Sequence, residues 1–205
     1  PVSLLVNTAI YDYCPEVIER FRDRGDEIVA HGRTNSESQD GLSEKDEFEL
    51  IAETTERITK EEGRPPEGWL GPWISETMKT PDILQENGYK YLLDWCHDDQ
   101  PTRMKTYGGE ILSVPYPQEL NDIPSIMVRK NSAEQFAKII TDNFDEMLEQ
   151  SRQQPLVMGI ALHAYIVGQP FRLKHLRNAL LHISNKREDI WFATAGQIAA
   201  HARTV

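Results

Sequence analysis

The chain has 205 residues, and its content of 39% hydrophobic and 27% charged residues is that of a globular protein long enough to bury a sizeable core. The formal net charge of −11 argues against nucleic acids and anionic membrane surfaces as partners. No apolar run approaches the roughly 18–20 residues that a membrane span needs, and no signal peptide is visible. Cys14 and Cys96 lie far apart and suggest no disulfide framework, so a reduced, cytoplasmic setting is expected.

Strand-like and helix-like patterns alternate from one end of the chain to the other. The predicted strands are residues 3–7, 27–31, 68–70, 89–94, 111–114, 156–163 and 190–193. The predicted helices are residues 15–24, a helix between Ser43 and Gly63, residues 80–87, a helix that begins at Ser132, residues 171–184 and a helix after Thr194. Gly25 is typical of a helix end, and Gln135, three residues after Ser132, has the spacing of a capping box.

This alternation predicts an α/β fold with a mostly parallel sheet and right-handed crossovers. The roughly seven short strands fit a barrel, complete or one strand short, better than an open nucleotide-binding sheet. No glycine-rich phosphate loop follows any predicted strand, which also disfavours a nucleotide site. We expect one domain over the whole chain.

Three apolar runs end in a polar, titratable residue: His31, Asp94 and His163. In a barrel the carboxyl ends of the strands meet on one face, where catalytic residues are found. His163 is the best candidate, because a histidine at a strand end can act as a general acid and give a proton to a leaving nitrogen or oxygen. The alternative is a histidine that fills the core.

His31 and Asn35 have the four-residue spacing of a metal-binding pair that follows a strand. The amide of Asn35 is a neutral and weak ligand for zinc, so this pair is only weak evidence for a metal site. The alternative is a strand-end His31 that bonds to the backbone while Asn35 forms a turn.

The segment from Arg64 to Trp73 is rich in proline, glycine and tryptophan. Two adjacent prolines stiffen the backbone and fix the direction of Arg64. Trp69 and Trp73 suggest an aromatic wall suited to sugars or flat rings. The alternative is a helix-exit arginine beside a small tryptophan-rich core.

Two further loops follow predicted strands. The acidic residues 94–99 would raise at least one carboxyl pKa if that loop is partly buried, whereas a solvated loop would have no such effect. In the loop after residues 111–114, Tyr116, Glu119 and Asn121 are candidate substrate contacts.

Together these residues resemble the polysaccharide deacetylase superfamily (NodB-like, carbohydrate esterase family 4), and within it the allantoinase-like and cyclic-imidase-like branch. The resemblance covers most of the chain. The matching motifs, in order, are His31-Gly32 with Asn35, Arg64-Pro65-Pro66, Asp94-Trp95 with Asp98-Asp99, and Leu162-His163.

The resemblance implies a (β/α)7-type distorted TIM-like barrel and hydrolysis of a non-peptide carbon–nitrogen bond. In the family scheme, a divalent metal, usually zinc, is held by one aspartate and two histidines and activates a water. His163 would protonate the leaving nitrogen, Asp94 would orient His163, and Arg64 would orient the base. Trp69 and Trp73 would wall the pocket.

Two departures from the family pattern bear on the metal. No Asp-Asp pair precedes His31, so this motif is expected upstream of Pro1, and the barrel is expected to lack its first strand in this chain. Asn35 stands where the deacetylases have a second histidine, and members of the allantoinase-like branch work without a metal. A zinc site and a metal-free site therefore both remain open.

Three functions remain open on this basis. They are hydrolysis of a small cyclic or linear amide through His163, metal-dependent N-deacetylation of amino sugars or glycan, and carbohydrate binding without catalysis. The expected partner is a small amide or amino-sugar substrate, with no nucleic acid and no membrane. Because an incomplete barrel exposes strand edges, we also expect a homo-oligomer or an additional N-terminal part.

Overall fold

Six strands form one sheet in the order β1-β2-β3-β4-β6-β5. The strands are β1 (Ser3–Val6), β2 (Glu27–Ala30), β3 (Gly68–Trp69), β4 (Tyr91–Leu92), β5 (Thr102–Thr106) and β6 (Gly109–Ser113). The pairs from β1 through β4 to β6 are parallel, and β5 pairs antiparallel with β6. Each parallel strand is added beside the previous one, as the strand–helix alternation predicts.

Eight α-helices accompany the sheet in the computed structural model, which describes residues 1–204. The helices are α1 (Ile10–Tyr13), α2 (Pro15–Arg24), α3 (Glu44–Glu62), α4 (Thr80–Glu86), α5 (Ala133–Gln150), α6 (Ala164–Val167), α7 (Pro170–Ser184) and α8 (Ala195–Ala202). A 3-10 turn at Pro72–Ile74 and a π-helical turn at Ile123–Val128 complete the helical elements of this part of the chain.

The predicted helix ends are confirmed in atomic detail. The side chain of Ser43 accepts a hydrogen bond from the backbone N–H of Asp46 and so caps α3. Ser132 forms a capping box at the start of α5, and Thr194 forms another at the start of α8. Gly25 ends α2 in the left-handed conformation that glycine adopts without steric cost.

The chain divides into two compact units. The first comprises Pro1–Asp94, Pro101–Val114 and the residues from Ala193 onward, and it holds the sheet. The second comprises Trp95–Gln100 and Pro115–Phe192. The single domain expected from the sequence stays a prediction.

Each unit has its own hydrophobic core. In the first unit the apolar faces of α2, α3 and α4 pack on one face of the sheet, with Ile18, Ile51 and Leu84 among the fully buried residues. In the second unit α5 packs along α7, and Phe136 and Ile140 lie at the centre of that core. The apolar stripe of α5 was predicted from its spacing.

The predicted strand at residues 156–163 is wrong as a regular strand. A single parallel bridge joins Ala161 to Asn121, and the rest of the segment has no ladder. The neighbouring segment explains the missing ladder. Gly159 lies against Pro115 and Pro117, and a proline has no backbone N–H to donate.

The prediction for residues 190–193 is also wrong, since this segment is irregular. In contrast, β5 was missed. It alternates charged and half-buried residues because it lies at the edge of the sheet, where Arg103 and Lys105 face solvent. The two-residue turn Tyr107-Gly108 between β5 and β6 is the hairpin signal that could have revealed it.

Two expectations about environment can be compared with the described residues. No helix within residues 1–204 combines the length and the apolar character needed to cross a membrane. Cys14 and Cys96 are both free and exposed, so they form no disulfide.

We predict that position 32 requires glycine for two reasons, its positive φ and the lack of room for a Cβ atom. Gly32 and Gly25 have φ of +68° and +70°, but a Cβ on Gly32 would lie 2.7 Å from Pro72 Cγ, whereas one on Gly25 would meet nothing within 4 Å. Both alanine variants should lose roughly 1–2 kcal/mol of unfolding free energy to backbone strain. Gly32→Ala should lose about 1–3 kcal/mol more to overpacking.

Urea unfolding of both variants measures the difference, with Gly25→Ala as the control for the backbone effect. Equal losses in the two variants would show that Pro72 moves aside without cost.

Candidate active site

A buried carboxylate holds His163. Oδ1 of Asp122 lies 2.6 Å from Nδ1 of His163, and Oδ2 accepts a hydrogen bond of 2.8 Å from the backbone N–H of the same residue. The Asp122 side chain is 0% exposed and that of His163 is 27% exposed. Two contacts from one carboxylate therefore fix both the position and the orientation of a ring that solvent can still reach.

This pair forms because two distant segments meet just before it. Asn121 and Ala161 share the parallel bridge, and the backbone N–H of Asp122 donates to the carbonyl of Ala161. Asp122 and His163 follow directly after these residues, so the bridge sets their register.

Asp122 is the functional residue that the sequence analysis missed. The orienting carboxylate of His163 was expected to be Asp94, and in the structure Asp122 has that role. Its sequence signal is weak, because Asp122 is one of several polar residues that end the loop after β6. Its partner is 41 positions further along the chain.

The surroundings of His163 leave one ring nitrogen available. Because Nδ1–H of His163 donates to the carboxylate of Asp122, Nε2 is the ring nitrogen that remains for proton exchange. Within residues 1–204 no hydrogen-bond partner for Nε2 is found. The exposed ring of Tyr165 lies edge-on to His163, with centroids 5.8 Å apart.

His31 lies where the sequence predicts, directly after β2. It is buried, and its Nδ1 is 2.6 Å from the carbonyl oxygen of Leu70, which follows β3. A carbonyl can only accept, so Nδ1 carries the proton and Nε2 of the neutral ring carries the lone pair. This contact matches the backbone-bonded alternative and also leaves Nε2 in the form that a metal ligand requires.

Asp94 is buried at the end of β4 with its carboxyl group turned to the protein. Its Oδ1 accepts a hydrogen bond of 2.7 Å from the backbone N–H of Gly71. Burial raises the pKa of Asp94 well above its ordinary value, and the negative charge and hydrogen bond of Glu76 raise it further, against the opposing effect of the Gly71 N–H. Burial and the neighbouring Glu76 therefore both favour the protonated form of the Asp94 carboxyl group.

Trp73 presents an exposed indole from a strained backbone. The residue is 65% exposed, and its Nε1–H donates to the carbonyl oxygen of Asn35 at 2.9 Å. Trp73 and Ile74 both have positive φ, of 63° and 56°, which costs of the order of 1–3 kcal/mol for each non-glycine residue. Such strain is retained where the surrounding structure enforces it.

Two of the predicted substrate contacts are core residues. Trp69 is 0% exposed and packs edge-on against Tyr89, because its position in β3 directs it to the helix-covered face of the sheet. Asn121 is 3% exposed, and its side-chain oxygen accepts from the backbone N–H of Ile123. The predictions that Trp69 walls a pocket and that Asn121 contacts substrate are therefore wrong.

Arg64 lies apart from His31 and Asp94. It is exposed and precedes β3, so it lies at the amino end of that strand, near Glu62. His31 and Asp94 follow the carboxyl ends of β2 and β4, which form the other edge of the parallel sheet. The role of Arg64 in orienting a base stays a prediction.

The other predicted contacts differ in exposure. Tyr116 is half-buried in the second unit, and its backbone N–H donates to the carbonyl of Trp95. Glu119 is exposed, with Arg129 at 3.9 Å. His163, Tyr116 and Glu119 belong to the second unit, whereas His31, Asn35, Asp94 and Trp73 belong to the first. Their contact with a substrate stays a prediction.

Three known proteins resemble the chain over most of its length. The chain is 22% identical to the peptidoglycan deacetylase of Helicobacter pylori, over 90% of this chain and 72% of the relative. It superposes on the crystal structure of Puue allantoinase with a TM-score of 0.90 and 25% identity, over 100% of this chain and 68% of that one. It superposes on a probable polysaccharide deacetylase of Pseudomonas aeruginosa PAO1 with a TM-score of 0.88 and 27% identity, over 98% of this chain and 67% of that one. No protein-family model matches the chain.

These similarities support the NodB-like polysaccharide deacetylase superfamily that the sequence motifs resemble. The predicted fold class is confirmed by the mixed α/β structure and its close structural matches, which have a (β/α)7 barrel-like fold. The enzyme class is confirmed as well, since the homologues and structural neighbours are hydrolases that act on carbon–nitrogen bonds.

The deacetylases of this superfamily are typically metal-dependent, so the donor atoms of this chain need to be compared with a zinc site. Catalytic zinc has three protein ligands, most often histidine nitrogen and carboxylate oxygen. His31 supplies one such group and Asn35 a neutral amide. No group of three or more His, Cys, Asp or Glu side chains within residues 1–204 is arranged to hold a metal. The described donor set therefore does not fit a zinc site by itself.

Asp94 is predicted to make stability fall as the pH rises. A carboxyl group whose pKa is higher in the folded than in the unfolded state favours folding while it keeps its proton. That contribution is lost between the unfolded and the folded pKa, at about 1.4 kcal/mol per pH unit. Asp94→Asn imitates the protonated group, so its unfolding free energy should depend less on pH above pH 4.

Urea unfolding between pH 5 and pH 9 compares this variant with wild type. Asp98→Asn, at an exposed position of the acidic loop, is the control. Parallel pH profiles for wild type and Asp94→Asn would contradict the raised pKa of Asp94.

Proposed function

We propose that this protein hydrolyses the non-peptide carbon–nitrogen bond of an amide, with His163 as the general acid. The observation that carries the proposal is the His163–Asp122 pair, in which a fully buried carboxylate holds a partly exposed imidazole. Similarity to deacetylases that act on carbon–nitrogen bonds supports the reaction class.

The geometry of the pair suits proton donation at one atom. Asp122 bonds to Nδ1, so Nε2 is the nitrogen from which a proton can leave. When both nitrogens are protonated, the nearby carboxylate stabilises the imidazolium. The second bond, from the backbone N–H of His163 to Asp122, keeps the ring from turning away.

The reaction follows from this placement. Water adds to the amide carbon and gives up one proton to solvent, which forms a tetrahedral intermediate. The carbon–nitrogen bond then breaks with its electron pair remaining on nitrogen. The proton on Nε2 of the His163 imidazolium passes to that nitrogen, so an amine leaves instead of an unstable amide anion, and the neutral ring takes up a proton from solvent again. General acid catalysis of this kind contributes about 10²–10⁴-fold to the rate.

We propose a small cyclic or linear amide as the substrate. Asn35 in place of a histidine supports this class, as does the similarity to Puue allantoinase. Within the first unit, the exposed indole of Trp73 is a group on which a flat ring can stack.

A metal-dependent N-deacetylase of amino sugars or glycan is the second candidate. The similarity to the peptidoglycan deacetylase of Helicobacter pylori favours it. Zinc, if held by His31 together with further ligands, would supply polarisation of the carbonyl and a more acidic water in such an enzyme. Because His31 and Asn35 do not make up a zinc site by themselves, no step of the proposal for His163 depends on a metal.

His163→Ala is predicted to lower kcat by about 10²–10⁴-fold. Asp122→Asn should lower kcat by roughly 10²-fold or more, because an amide N–H facing Nδ1 reverses the tautomer and no longer stabilises the imidazolium. The measurement is steady-state hydrolysis of the amide on which the wild type is most active.

The matched control is Asp145→Asn. Asp145 also contacts a histidine, with its Oδ1 2.7 Å from Nε2 of His182, but both side chains are exposed on helices α5 and α7. Its kcat should equal that of wild type. A His163→Ala variant that keeps wild-type kcat would remove His163 from the mechanism.

The substrate class is tested by supplying allantoin, as a cyclic amide, and N-acetylglucosamine oligomers, as amino sugars, with and without added zinc. Turnover of the cyclic amide is expected. Turnover of the oligomers alone, dependent on zinc, would favour the second candidate. Binding of either probe without turnover would instead favour a non-catalytic carbohydrate-binding relative.

A further inference from the structure

The exposed tryptophan of the first unit lies in a segment with a strained backbone. This segment, the Trp73 loop, comprises residues 71–77. It contains two consecutive non-glycine residues with positive φ, Trp73 and Ile74. A conformation that these side chains disfavour persists only if contacts from outside the loop enforce it.

Those contacts come from the neighbouring loop at residues 32–42. The Ser75 hydroxyl donates to the carbonyl of Pro72 and accepts from the backbone N–H of Gln39 at 2.8 Å. At the other side of the loop, the indole N–H of Trp73 donates to the carbonyl of Asn35. The two loops are therefore joined at both ends of the strained stretch.

One buried carboxyl group joins both loops to a helix. Glu47, in the first turn of α3, is fully buried and accepts hydrogen bonds from the hydroxyls of Thr77 and Thr80. It also accepts a bond of 2.6 Å from the side-chain N–H of Gln39. Thr77 ends the Trp73 loop and Gln39 belongs to the adjoining loop, so Glu47 is the point from which both are held.

Burying an acidic side chain costs free energy unless hydrogen bonds replace those that it made with water. The helix gains nothing special from this one, because Glu44 and Asp46 already place negative charge in the first turn of α3. The three donors to Glu47 all come from outside the helix, from residues 39, 77 and 80. Its position therefore serves the loops.

We propose that Glu47 is a positioning residue that holds the exposed indole of Trp73 as a platform on which the flat ring of an amide stacks. The inference rests on the proposed function, because that function names amides as the class of ligand. Glu47 itself touches no substrate and acts through Gln39 and Thr77.

The test compares Glu47→Leu, which removes all three acceptor contacts, with Glu47→Gln. In Glu47→Gln the amide oxygen can still accept from Gln39 and Thr80, while the Thr77 hydroxyl turns to accept from the amide nitrogen. The control is Glu62→Leu at the other end of α3. Glu62 also accepts several hydrogen bonds, from Tyr11 and Arg22, but it contacts neither loop.

The first readout does not depend on activity. The indole N–H signal of Trp73 in a ¹H–¹⁵N spectrum is identified by its loss in Trp73→Phe. In Glu47→Leu this signal should shift and exchange with solvent faster, whereas Glu47→Gln and Glu62→Leu should leave it unchanged. An unchanged signal in a folded Glu47→Leu protein would overturn the proposal.

The second readout is a double-mutant cycle on the dissociation constant of a ring amide. Glu47→Leu should raise this Kd about tenfold, in the range of a lost aromatic contact. In a Trp73→Ala background it should have no further effect on the Kd. Effects that multiply in the double variant would mean that Glu47 does not act through Trp73.

Gln39→Leu covers the case in which Glu47→Leu does not fold, because it removes only the link between Glu47 and the 32–42 loop. It should reproduce the change in the Trp73 signal. If no amide is turned over by the wild type, the proposed function fails, while the Trp73 signal still decides whether Glu47 positions the indole.

Discussion

The contact between Asp122 and His163 is the interaction on which the proposed chemistry depends. A carboxylate buried away from water is stable only if hydrogen bonds replace those it has lost. Here both oxygens are engaged by one residue, through its ring and through its backbone N–H. Because an unpaired Asp122 would be costly in this buried position, both contacts to His163 are retained, and they fix the orientation of its ring.

Buried carboxyl groups recur in this protein, and each has a different environment. Asp122 is paired with a titratable ring, Asp94 with a second carboxyl group, and Glu47 with two hydroxyls and an amide. The partner decides the consequence. A ring can transfer a proton, a neighbouring carboxyl group favours retention of one, and a set of neutral donors fixes backbone segments in place.

Local features of the fold were predictable from the sequence, and the long-range pairings were not. The capping residues Ser43, Ser132 and Thr194 act within one helical turn, so their signal is contained in a few adjacent positions. The prolines that prevent a ladder at residues 156–163 lie about 40 positions away from it, where no local pattern reports them.

The candidate site was predicted in part for the same reason. His31, Asp94 and His163 were recognisable as polar residues after apolar runs, although the third run is not a regular strand. Trp69 was misjudged because composition cannot tell which face of a short strand a tryptophan occupies. The bridge between Asn121 and Ala161 should form later in folding than the local elements do. The β5–β6 hairpin closes a turn of two residues, whereas this bridge closes a loop of about 40, whose loss of chain entropy is larger. The histidine and its carboxylate are therefore expected to meet late, after the local elements have formed, and to separate early when the chain begins to unfold.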